Sequence, residues 1–88
     1  MIASFRHHGL RELFETGKSR KVRADLRKRC TRAMDAIQAA TAPSDLNMPG
    51  WRVHLLKGHR EGRHALAVNG PWRITFRCDV KDAHELAL

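Results

Sequence analysis

The sequence predicts one α+β domain, spanning residues 1–88, in which helices pack on one face of an antiparallel sheet. Over the first half of the chain, apolar residues recur every three or four positions, which is helical spacing. Over residues 52–78 they alternate with polar residues, which is strand spacing. A run of helices followed by a run of strands favours the α+β class, and 88 residues suffice for a single small core.

The chain begins with a short predicted edge strand over residues 2–6. Leu10, Leu13 and Phe14 then follow at helical spacing. Gly17 comes directly after them, and glycine is typical of helix ends because it tolerates the left-handed backbone. We therefore expect a first helix that ends at this glycine.

A second, longer helix is predicted from Ser19, as its cap, to about Ala40. Its apolar stripe consists of Val22, Leu26, Cys30, Ala33, Ile37 and Ala40. Its other face is strongly basic and carries Lys18, Arg20, Lys21, Arg23, Arg27, Lys28, Arg29 and Arg32.

The second half reads as a loop over residues 41–50, which contain two prolines, followed by strands. The predicted strands cover about 52–56, 64–68, 72–78 and 84–88. A glycine-bounded charged loop over residues 58–62 joins the first two, and Asn69-Gly70-Pro71 makes a tight turn before the third.

Composition restricts the partners and the compartment. The chain has 17 Lys and Arg against 9 Asp and Glu, a net charge of +8, which favours RNA, DNA, ribosomes, anionic membranes or an acidic protein. Cys30 and Cys78 form no metal-ligand motif, so we expect buried free thiols, no bound metal or other cofactor, and a reducing cytoplasm. No apolar run approaches the roughly 20 residues of a membrane span.

Strand alternation sorts the second half into two faces. Val53, Leu55, Trp72, Ile74, Phe76 and Cys78 are predicted to point into the core. The opposite face gathers His54, Arg73 and Arg77, with Lys57, Arg60 and Arg63 on the intervening turn. These are the side chains needed to bind and cleave a phosphodiester. For each lysine or arginine taken singly, a solvated surface charge is the alternative.

Three segments resemble the HigB-type toxins of bacterial type II toxin–antitoxin pairs, within the RelE-like superfamily. They are MIASFRHHGLRELFETG at the start, LNMPGWRVHLLKGHREG in the middle and VNGPWRITF near the end. The segments occur in the family's order and at its spacing.

The resemblance implies a RelE-like fold and a metal-independent endoribonuclease that cleaves mRNA in the ribosomal A site. It also implies neutralisation by a cognate, HigA-like antitoxin, and operator DNA binding through the complex of the two proteins. We expect no membrane association, since the basic helix has a narrow apolar face and no aromatic anchor.

RNA cleavage without metal proceeds by attack of the 2′-hydroxyl on the adjacent phosphate. The family places a functional histidine at the position of His54, which is the candidate general base. Arg73 is the candidate clamp of the transition state, because an arginine fork can hold two phosphate oxygens. Lys57 and Arg60 are candidate phosphate ligands.

Further RNA contacts are assigned to Arg63 and Arg77 and to the basic helix through Lys21, Arg27 and Lys28. For the helix, docking on ribosomal RNA is the preferred interpretation. An acidic segment of the antitoxin is the competing partner, and a simply solvated face is the third alternative.

One departure from the family lies at the end of the chain, which stops at Leu88 before the family's aromatic–histidine pair. Impaired catalysis is therefore an alternative, in which a catalytically weak nucleic-acid-binding protein acts with its antitoxin in operator repression. His64 and, less convincingly, His84 are candidates to replace the missing histidine. His7, His8 and His59 are interpreted as surface residues.

Overall fold

A computed structural model describes residues 1–57, 62–79 and 81–88. Its elements are α1 (His8–Thr16), α2 (Ala24–Ala39), a 3₁₀ turn (Pro43–Asp45), β1 (His54–Leu55), β2 (Arg63–Asn69), β3 (Trp72–Asp79) and β4 (Asp82–Ala87). The four strands pair in chain order and are all antiparallel. This arrangement confirms the predicted α+β class.

The core lies between the helices and one face of the sheet. The helices contribute Leu10, Leu13, Leu26, Cys30, Ala33, Met34 and Ile37, and the strands contribute Leu66, Val68, Ile74, Phe76 and Leu86. Burial of each larger side chain contributes about 1.5–3 kcal/mol, and this gain is offset largely by lost chain entropy. Burial of Cys30 also raises the pKa of its thiol to about 11, so it is an unreactive core residue.

Helix α1 has a cap at each end. The predicted stop is confirmed, since Gly17 has φ +80 and its N–H donates to the carbonyl of Leu13 at 2.8 Å. At the other end, His7 Nδ1 accepts a hydrogen bond from the N–H of Leu10 at 3.1 Å. The interpretation of His7 as a plain surface residue is therefore wrong.

The predicted start of α2 is also wrong, because the helix begins at Ala24 rather than after Ser19. Ser19 is buried, and its hydroxyl accepts from the N–H of Lys21 at 3.2 Å, which closes a local turn instead. Val22 is buried ahead of the helix, and its carbonyl accepts from Arg27 Nε at 2.9 Å. This turn carries the chain from α1 into α2.

The N-terminal segment adds to the outer edge of β4. Isolated parallel bridges join Ile2 to Ala83 and Phe5 to Leu86, so the predicted edge strand pairs at two points rather than along a continuous ladder. The N–H of Ile2 donates to Gln38 Oε1 at 2.8 Å. The first residues are thereby attached to both the sheet and α2.

Two residues predicted to be buried are exposed. Leu55 is 55% exposed because β1 lies at the sheet edge, outside the described core. Cys78 is exposed because the last residues of β3 extend beyond α2, which ends at Ala39. Strand β1 is also shorter than predicted, since Arg52 has φ +48 and interrupts the extended backbone.

We expect Gly9→Ala to destabilise the fold by about 1 kcal/mol, even though alanine is the better helix former. A Cβ at this buried position would lie 2.7 Å from His7 Cε1 and 2.8 Å from Lys21 Cβ. Urea unfolding of the variant and the wild type measures the difference. A more stable variant would contradict the close packing described here.

Acid should destabilise the α1 cap. Burial, followed by the positive charges of His8 and Lys21, lowers the pKa of His7 below its usual 6.5. The contribution of the neutral cap is therefore complete above about pH 6.5, the ordinary pKa of histidine, and is lost as the pH falls through the lower pKa of the folded state. His7→Asn keeps an uncharged acceptor. Relative to wild type, it should gain about 1 kcal/mol of unfolding free energy between pH 7.5 and 5. If the unfolding free energies of the wild type and of His7→Asn change with pH in the same way, this assignment is wrong.

Candidate functional site

The sheet face opposite the helices carries the predicted site. Across this face, His54 of β1 pairs with Ala65 of β2, which in turn pairs with Thr75 of β3. Arg73 pairs with Ala67, two residues further along β2. The two alanines place only methyl groups between the histidine and the arginine, whose Cα atoms are about 12 Å apart by sheet spacings.

An open groove of about 530 Å³ crosses this face along β3 and β4, and His54 on β1 is not among its described lining residues. Its lining includes Arg6, Arg63, Arg73, Arg77, Thr75, Glu85 and Leu88. Among the described residues, four arginines and one acidic side chain line this groove, which suits a polyanion. The predicted shared face of His54, Arg73 and Arg77 is confirmed by the strand register, which also brings Arg63 to this face.

His54 is exposed and its ring is oriented by the backbone. Its Nδ1 lies 2.8 Å from the carbonyl oxygen of Arg52. Because a carbonyl can only accept, Nδ1 carries the proton in the neutral ring, and Nε2 keeps its lone pair. Nε2 is therefore the atom able to accept a proton from a bound group.

Arg73 is half-buried at the end of the groove nearest the Asn69–Trp72 turn. Its Nη1 donates to the carbonyls of Gly70 at 2.5 Å and Trp72 at 3.0 Å. Both of these bonds run from one nitrogen. These two bonds hold the guanidinium in place, and its other nitrogen atoms remain able to bind a phosphate.

Arg63 was expected on the turn but is the first residue of β2, and only 8% of it is exposed. Its Nη2 donates to Thr75 Oγ1 at 3.1 Å and to the carbonyl of Glu85 at 2.6 Å. Its Nη1 lies 3.6 Å from the Glu85 carboxylate, which also accepts from Arg6 Nη2 at 2.8 Å. Arg63 therefore forms part of the groove floor.

Sequence reasoning missed Arg6, Thr75 and Glu85 as members of this groove. Arg6 and Glu85 are 79 positions apart in the chain. No motif or spacing signals that they meet. They do so because the N-terminal segment pairs with β4.

Of three further predicted site residues, the structure describes Arg77 and Lys57 but not Arg60. Arg77 is exposed, lines the groove and pairs with Arg63 across the strands. Lys57 is exposed just after β1. Arg60 lies outside the described residues, as does His59.

His64 points to the helix side of the sheet, away from the groove. It pairs with Phe76 across the strands and stacks on that ring, with centroids 5.7 Å apart. Its Nδ1 is buried and makes no hydrogen bond within the part of the chain that the structure describes. Burial, and then the charge of His54, lowers its pKa. This position gives no support to a proton-transfer role. His84 pairs with Arg77 and lines a separate depression.

The basic face of α2 forms a second cationic surface. Lys21 and Lys28 are exposed, whereas Arg27 is half-buried and bonded to the Val22 carbonyl. Lys21 precedes the helix rather than lying on it.

Trp72 joins the basic surface to the groove. It packs against the core as predicted and also lines the groove. Arg23 lies over its ring, at 5.8 Å from the centroid. The basic helix surface thus reaches the rim of the groove.

Within residues 1–57, 62–79 and 81–88, no group of three or more His, Cys, Asp or Glu side chains is arranged to hold a metal ion. Over the same residues, no helix has the length and apolar character required to cross a membrane.

Comparison with known proteins agrees with the architecture and with the sequence motifs. Residues 3–87 match the family described as the RelE-like toxin of type II toxin–antitoxin system HigB. The chain is also 42% identical over 86 residues to a protein of Proteus vulgaris named Endoribonuclease HigB, an alignment that covers 98% of this chain and 94% of the relative. The chain therefore belongs to the HigB-type, RelE-like toxins of type II toxin–antitoxin systems.

Proposed function

We propose that this toxin is an endoribonuclease that cleaves mRNA on translating ribosomes in the cytoplasm. The observation that carries the proposal is the placement of His54, Arg73 and Arg77 on one sheet face, beside a groove that also contains two other arginines. The 42% identical relative is named an endoribonuclease, which supports the same activity here.

The reaction needs a base for the 2′-hydroxyl and cations for the phosphate. His54 Nε2 takes the proton of the 2′-hydroxyl, because Nδ1 is occupied by the Arg52 carbonyl. Oxygen O2′ then bonds to phosphorus as the bond to O5′ breaks and O5′ takes a proton from water, which leaves a 2′,3′-cyclic phosphate and a 5′-hydroxyl end. Arg73 neutralises the pentacoordinate phosphate, with Lys57 and Arg60 as further ligands.

Ribosome dependence is supported by the second cationic surface. The basic helix region forms a second cationic surface that meets the groove at its rim, and Lys21, Arg27 and Lys28 are the proposed contacts to ribosomal RNA. Such contacts release counterions and weaken steeply with salt. Docking on the ribosome through a second surface holds the enzyme close to the mRNA, which raises the effective concentration of the substrate at the groove.

Membership in a type II family gives the chain an antitoxin partner. We propose that this antitoxin is HigA-like and that the complex binds operator DNA. The net charge of +8 suits an acidic antitoxin segment as well as nucleic acid.

Primer extension on a reporter mRNA, with and without translating ribosomes, tests the function directly. We expect cuts only in the presence of ribosomes. Arg73→Ala should lower the cleavage rate about 10²- to 10³-fold, because one preorganised donor to the transition state is lost. Arg11→Ala is the matched control, since it removes the same charge from an exposed site on α1. Cuts without ribosomes would contradict the dependence. No cuts by folded wild-type protein would favour a weakly catalytic operator-binding partner.

The assigned orientation of His54 makes a second, sharper prediction. In His54→Asn, the side-chain amide can still donate to the Arg52 carbonyl, but nothing replaces Nε2. We expect unchanged thermal stability and a cleavage rate lower by about 10²- to 10⁴-fold, the usual contribution of a general base. Retained cleavage in this variant would exclude His54 as the base.

A further inference from the structure

Glu85 has a backbone conformation that its residue type disfavours. Its φ is +55, in the left-handed region where a Cβ is crowded. It lies at a β-bulge, because the step from Thr75 to Arg77 on β3 faces the longer step from His84 to Ala87 on β4. At such bulges glycine is the usual left-handed residue. A glutamate there persists only if its surroundings hold it.

Three groups hold Glu85 in place. Its N–H donates to Ser4 Oγ at 2.9 Å, and its carbonyl accepts from Arg63 Nη2 at 2.6 Å. Its carboxylate accepts from Arg6 Nη2 at 2.8 Å and lies 3.6 Å from Arg63 Nη1. The bulge thus directs both the carbonyl and the carboxylate of one residue at the same buried guanidinium.

We propose that Glu85 is a positioning residue of the RNA groove, a role that rests on the endoribonuclease function proposed above. It fixes Arg63 in the groove floor and Arg6 at the rim, so that the floor charge and the Thr75 hydroxyl keep one geometry. Glu85 does not act on RNA itself, since a carboxylate repels phosphate.

Glu85 lowers the attraction of the groove for RNA but fixes the positions of Arg63 and Arg6. Glu85 is the acidic side chain among the described groove residues, and its charge opposes that of the four described arginines. Removing the charge should therefore leave RNA attraction unchanged or stronger, while Arg63 and Arg6 lose their alignment. A residue that merely contributed to binding or folding would show the opposite pattern.

Glu85→Gln is the central variant, because it keeps the shape and removes the charge. We expect the ribosome-dependent cleavage rate at saturating mRNA to fall about tenfold to a hundredfold. The Kd for a single-stranded RNA oligonucleotide should stay equal or decrease. Glu85→Gly should show the same rate loss, and glycine at φ +55 should offset part of the thermal stability that is lost with the ion pair. Glu15→Gln, on exposed α1, is the matched control for charge and should cleave as wild type does.

Full cleavage by Glu85→Gln, or a rate loss explained by a higher Kd, would overturn the proposal. A second readout does not depend on activity. In ¹⁵N NMR spectra, the fixed Arg63 guanidinium should give separate Nη signals that average in Glu85→Gln. Averaged signals in the wild type would also overturn it. If wild-type protein cleaves nothing, the proposed function fails while the NMR measurement still decides the positioning role.

Discussion

The arrangement of the whole molecule depends on the burial of one sheet face under α2. Leu26, Cys30 and Ile37 of the helix pack in one core with Leu66, Ile74 and Phe76 of β2 and β3. Because side chains alternate along a strand, this burial forces the residues between them onto the opposite face. Arg73 and Arg77 therefore face the groove because Ile74 and Phe76 face the core. A slip of one residue in register would bury the arginines and expose the core.

The same constraint brings several positive charges together in the groove, and one of them is nearly buried. Arg63 begins β2 with its side chain nearly buried, and an isolated charge in that position would be costly. Its bonds to Thr75 and to the carbonyl and carboxylate of Glu85 compensate for the lost hydration. The cationic groove can exist in a small domain because its deepest charge has protein partners. The outer arginines stay in contact with solvent.

The two basic surfaces divide the proposed function between them. The sheet face carries the arginine cluster in the groove and the oriented His54 imidazole on the neighbouring strand β1, which suits chemistry on a phosphate. The region of α2 carries exposed lysines and arginines, which suits a long-range, salt-dependent attachment to RNA. Arg23 over Trp72 brings one of these helix charges to the groove rim. In the proposed function, a chain of 88 residues thus binds mRNA in the groove and ribosomal RNA on the adjoining basic surface.

The sequence by itself determined the α+β class, the core stripe of α2, the end of α1 at Gly17, and the shared face of His54, Arg73 and Arg77. These follow from periodicities of two and 3.6 residues and from the glycine preference at helix ends, which are local properties. Only the tertiary structure decided the exposure of Leu55 and Cys78 and the network of Arg6, Arg63 and Glu85. Those features depend on where the helical layer stops and on which distant segments pair. Such contacts form between residues far apart in the chain, and no spacing in the sequence encodes them.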